Sequence, residues 1–93
     1  MGDEIDEHMG RRLMDRRRAL GVTQQQLATV VGVRFQQIYK YECGENRISA
    51  ARLWMLAIAL DVAVEYFYEG LPAGSQIERR AGSTTSREVA LVA

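Results

Sequence analysis

Apolar residues recur along most of the chain at intervals of three and four, the period of a helix rather than the two-residue alternation of a strand. Ile5, Met9 and Leu13 fall every four residues and Leu20 closes their stripe, predicting a first helix over about 6–20. Gly21 follows as a left-handed C-terminal cap. A second helix opens at Thr23. The run Thr23-Gln24-Gln25-Gln26 places a hydroxyl at the N-cap and a glutamine three residues on, the capping-box pattern. Leu27, Ala28 and Val31 form its inner face and Gly32 ends it. A third helix is expected over about 35–43, with Ile38, Tyr41 and Glu42 on one side and Gly44 beyond its end. Ser49 caps a fourth over 50–60, with Leu53, Leu56, Ala57 and Leu60 inward. A short fifth turn over about 64–68 carries Tyr66, Phe67 and Tyr68.

No segment alternates between hairpin turn residues. The expected fold is therefore all-α, a compact bundle of four to five short helices. Residues 1–5 read as an acidic arm, 6–71 as the folded domain and 72–93 as a flexible tail. Pro72, the only proline, marks the boundary. Beyond it the chain is small, polar and charged, with few large apolar residues before Val89.

Ninety-three residues fit one small domain. The longest apolar runs fall far short of the roughly 20 residues of a membrane span, so no membrane association is expected. The acidic first residues are the opposite of a secretory signal. The single cysteine, Cys43, excludes an internal disulfide framework. These features favour a cytoplasmic protein. Formal net charge is zero, but its distribution is uneven. Residues 1–7 hold four acids and no base, whereas residues 8–52 hold nine bases against three acids. The middle of the chain is a basic module with acidic flanks, which suits nucleic acid or, more simply, a set of solvated helix faces.

Catalysis has no support, since no Ser/His/Asp set, phosphate-cradling glycine loop or paired carboxylate site is visible. His8 has no second histidine near it, so no metal site is expected, and no cofactor is implied. Cys43, near a helix end, is read as inert, with redox sensing as the alternative.

Two short helices joined through Gly32 inside a small bundle form a helix-turn-helix. Here the sequence resembles the lambda-repressor-like, Xre-type DNA-binding domains. The matching residues are Arg17, "GVTQQQLATVVGV" (21–33), Ile38, Tyr41 and Glu42, Gly44, and "LWMLAIALDV" (53–62), and the resemblance covers roughly residues 5–70. It implies a DNA-binding transcriptional regulator whose third helix reads the major groove. Arg34, Phe35, Gln36, Gln37 and Lys40 are then the candidates for base contacts. Gln can bond adenine N6 and N7, Lys can reach guanine acceptors, and Phe35 can press on a thymine methyl. Phe35 also stands three residues before Ile38, where it would close the core. Gln24, in the first turn of the second helix, can grip a phosphate. Tyr39, Asn46 and Arg47 complete the candidate phosphate set. The family also pairs an arginine in the first helix with the glutamate ending the third, which implies an Arg17–Glu42 ion pair. Arg11, Arg12, Arg16 and Arg18 add diffuse attraction.

One short reading helix covers little sequence, so a homodimer on an inverted-repeat operator is expected. Trp54, Tyr66, Phe67 and Tyr68 are the candidate dimer surface, unless the aromatics finish the monomer core. With no effector domain visible, no small-molecule ligand is expected. Two other functions fit the same residues. One is a DNA-binding antitoxin whose tail grips a toxin. The other is a helical protein-interaction adaptor.

Overall fold

The computed structural model describes residues 4–72. Apart from Pro72, the expected tail lies outside the described residues. The chain forms α1 (Glu4–Ala19), α2 (Gln24–Val31), α3 (Phe35–Glu42), α4 (Ala50–Ala59) and a 3-10 helix (Val64–Tyr68), with no strand among the described residues.

Local chemistry accounts for most helix ends. Thr23 Oγ1 accepts from the Gln26 backbone N–H at 3.0 Å while the Thr23 N–H donates to Gln26 Oε1 at 2.9 Å, so the capping box closes in both directions. Ser49 Oγ accepts from the Arg52 N–H at 3.1 Å. Gly32 stops α2 at φ +76°, a conformation glycine adopts without the Cβ penalty.

α1 starts earlier than the pattern alone indicates. Glu4 and Ile5 are helical rather than part of an arm, and the acids Glu4, Asp6 and Glu7 lie at the positive end of the helix dipole. The apolar stripe is also shorter than expected. Met9 and Leu13 reach the core, but Ile5 and Leu20 stay 53% and 43% exposed. Leu20 falls in the turn that Gly21 makes, past the last residue of the helix.

The core gathers Leu13, Leu27, Ile38, Leu56, Leu60 and Phe67, all essentially inaccessible to water. Burial of each such side chain stabilises the fold by about 1.5–3 kcal/mol. Phe67 is 0% exposed, so it belongs to the monomer core and not to a dimer surface. Tyr66 packs edge-on against it, ring centroids 5.4 Å apart. Arg12 then clasps Tyr66 to α1. Its guanidinium lies 3.7 Å above the ring, its Nε donates to Tyr66 O at 2.9 Å, and the Tyr66 hydroxyl donates to Arg12 O at 3.1 Å. Tyr66 is thereby also withdrawn from the expected dimer surface. Arg16 donates to the carbonyls of Leu60 and Asp61 at the end of α4. Arg12 and Arg16 are thus structural ties rather than diffuse positive charge. No helix among the described residues is long and apolar enough to cross a membrane.

Candidate nucleic-acid interface

α3 is sunk on one side and open on the other. Ile38 is fully buried and Tyr41 is 7% exposed, while Arg34, Phe35, Gln36, Tyr39 and Lys40 face solvent and Gln37 is half-buried. Phe35 is 42% exposed, so it leaves the core to its neighbour Ile38. Arg34 occupies the N-cap position and makes no side-chain cap hydrogen bond, leaving its guanidinium at the rim of this face. Arg34, Gln36, Gln37 and Lys40 share one shallow concavity with Arg52 of α4. Arg52 is the member of this face that the sequence reading passed over. It also donates to Val31 O at 3.0 Å, tying α4 to the end of α2.

Two features hold α3 against α1. Arg17 and Glu42 meet in a two-point ion pair, Nε to Oε2 at 2.6 Å and Nη2 to Oε1 at 3.0 Å. Only 10% of the arginine side chain and 3% of the glutamate side chain are exposed. Arg17 Nη1 also donates to Val22 O at 2.9 Å, and Gln24 Nε2 donates to Glu42 Oε1 at 3.0 Å. One carboxylate therefore joins α1, the turn before α2, the first turn of α2 and the end of α3. The hydrogen bond from Arg17 to Glu42 is the main reason the guanidinium holds its proton even more firmly than usual, with burial opposing it. The second feature is Gly10. A Cβ there would collide with the Tyr41 carbonyl oxygen and stand 2.8 Å from that of Glu42, so α1 and α3 cross at backbone contact.

The candidate phosphate residues are dispersed around this face. Gln24 is half-buried, its amide oriented by Glu42. Tyr39 is exposed, and its phenol ionises at higher pH than usual, chiefly through hydrogen bonding toward the Cys43 side chain. Asn46 is half-buried in the loop after α3, and its N–H bonds back to Lys40 O at 3.3 Å. Arg47 is exposed but paired with Asp6 of α1 at 3.1 Å. Of the remaining dimer candidates, Trp54 is 61% and Tyr68 48% exposed.

Residues 13–67 match the model of the helix-turn-helix family, a segment that runs from the second half of α1 through α4 to the 3-10 helix, short of its last residue. The chain belongs to the lambda-repressor-like helix-turn-helix family. Among its relatives is an uncharacterized transcriptional regulator in the ATPase CF(0) region of Rhodospirillum rubrum, 51% identical over 70 residues. That match covers 75% of this chain and 65% of the relative. A helix-turn-helix-type transcriptional regulator of Rickettsia conorii is 47% identical over 68 residues, 73% of this chain and 54% of that protein. This helix-turn-helix chain thus spans between half and two thirds of the length of these relatives. Among solved structures, the restriction-modification controller protein C.AhdI of Aeromonas hydrophila superposes with a TM-score of 0.64 at 30% identity, covering 66% of this chain and 92% of that one.

Proposed function

We propose that this chain binds double-stranded DNA sequence-specifically and regulates transcription, with α3 in the major groove. The observation that carries the reading is the outer face of α3. Gln36 and Lys40, one turn apart, are exposed, and among the described residues no hydrogen bond or ion pair engages either side chain. The fold spends the opposite face on the core and leaves this one for base edges. Phe35, apolar and open to water, suits a thymine methyl. Gln24, Tyr39, Asn46 and Arg47 are assigned to the phosphates beside it. Relatives named as transcriptional regulators agree with this reading. A DNA regulator of this kind works in the cytoplasm.

Gln36→Ala is expected to cost about 1–3 kcal/mol on the preferred site and to relax preference at one base pair. Gln24→Ala should weaken all sequences alike, because phosphate carries no sequence information. Titrations against operator and scrambled duplexes at several salt concentrations decide between them. A Gln36→Ala protein with the parent's discrimination would move the reader to Arg34, Gln37 or Lys40. Absence of DNA binding even at low salt would favour the protein-interaction adaptor instead.

A homodimer on an inverted repeat, half-site centres about 34 Å apart, completes the reading. Its surface shifts from the aromatic 3-10 helix to α4. Trp54 and Ile58, one turn apart, are 61% and 59% exposed, and Met55 adds to the same helix. Beside them Val22, Leu27, Val30, Ala59 and Leu60 line an apolar groove between α2 and α4. Ile58→Glu is expected to leave a folded monomer by analytical ultracentrifugation. A variant that sediments like the parent would exclude this face.

A further inference from the structure

Arg47 stands in the loop that leads from α3 to α4, and it is already holding an anion. Its Nε lies 3.1 and 3.3 Å from the two oxygens of Asp6, and its Nη2 lies 3.3 Å from Oδ2. The partners are unequally placed. The Asp6 side chain is 10% exposed, the Arg47 side chain 73%. Asp6 is thus fixed to the body of α1, in a cleft lined by Ile5, Met9, Ile48 and Tyr68, while the guanidinium reaches outward. Two anionic oxygens against one edge of a guanidinium is also how the non-bridging oxygens of a phosphodiester are held.

We propose that Asp6 is an internal stand-in for a DNA phosphate at Arg47, so that contact with the backbone there is an exchange of one anion for another. The inference rests on the phosphate role given to Arg47 above. Its consequence is thermodynamic. When Arg47 takes a phosphate, the DNA releases a counterion, but Arg47 gives up its contact with the Asp6 carboxylate, whose charge is then less well neutralised within the protein. The exchange therefore weakens binding and flattens its salt dependence.

The test is a double-mutant cycle of Asp6→Asn and Arg47→Gln, read by binding of the full chain to a scrambled duplex across several KCl concentrations. Both changes keep hydrogen-bonding side chains of similar size, and thermal melts of all four proteins check folding. Asp6→Asn is expected to tighten binding by up to about fivefold, the range covered by exposed ion pairs. It should also steepen the plot of log affinity against log salt by up to about one. Arg47→Gln should weaken binding and flatten that slope, and Asp6→Asn added to it should change little. Asp6→Glu, which keeps the charge, should stay near the parent. Unchanged or weaker binding by Asp6→Asn, with Arg47→Gln still impaired, overturns the exchange and leaves the phosphate role of Arg47 standing. An Arg47→Gln protein with the parent's affinity and slope overturns both.

Discussion

Gly10→Ala is expected to lower the melting temperature by roughly 4–24 °C and to weaken DNA binding along with it. On an exposed helix the same change would stabilise, because alanine is the better helix former by about 1 kcal/mol. Here the sign reverses. The added Cβ would collide with the Tyr41 carbonyl oxygen and meet the Glu42 carbonyl at 2.8 Å, and both obstacles are backbone. No rotamer change relieves such a contact, so α3 must move away from α1. Overpacking of this kind costs about 1–3 kcal/mol and occasionally more, and each kilocalorie shifts the midpoint by about 4–8 °C in a domain of this size. The displaced part is the end of the reading helix, including Glu42. Thermal melts followed by circular dichroism check the stability, and titration of operator DNA checks the binding. A Gly10→Ala protein that melts at or above the parent's temperature would show that the two helices have slack at this crossing.

The helices were legible because their signals are local. The capping box at Thr23, the cap at Ser49 and the glycines after α1, α2 and α3 each act within a few residues, and the helical period survives short elements. Gly10 was not legible as a crossing point. Its signal was present, a glycine inside a run of good helix formers where it costs about 1 kcal/mol, but its reason lies at Tyr41 and Glu42 of α3, far away in sequence. The aromatic 3-10 helix shows the same limit. Three consecutive aromatics suggest a surface, yet a 3-10 turn aims each in a different direction, and only Tyr68 is left largely open to water. Arg12 and Arg16 read as surface charge because arginine usually is. Their partners, the carbonyls of Tyr66 and Leu60 and the carboxylate of Glu69, lie 44 to 57 residues further along the chain, which no spacing rule anticipates. The exposed side of α3 was legible as a face but not as chemistry, since the use of Gln36 or Lys40 depends on a molecule outside the chain.

Glu42→Ala is expected to be the most damaging change at a charged residue. The carboxylate side chain is 3% exposed and accepts from Arg17 twice and from Gln24 once. Removing it leaves the Arg17 guanidinium nearly buried with one remaining partner, the Val22 carbonyl. Breaking one side of a buried pair costs about 3–5 kcal/mol, so a drop in melting temperature of at least about 10 °C follows. Arg17→Ala should cost about as much, because it strands a carboxylate in the same place. The double variant Arg17→Met with Glu42→Leu should recover much of the loss, since matched apolar side chains strand no charge. That recovery separates stability from function. The repacked protein keeps its fold but lacks the acceptor that orients the Gln24 amide, and so should bind operator and scrambled DNA more weakly by a similar factor. Melts and titrations of the four proteins decide it. A Glu42→Ala protein that melts like the parent would show that the pair adds nothing to stability. A repacked protein with full affinity would remove Glu42 from the positioning of Gln24 and leave it as a brace for α3 alone.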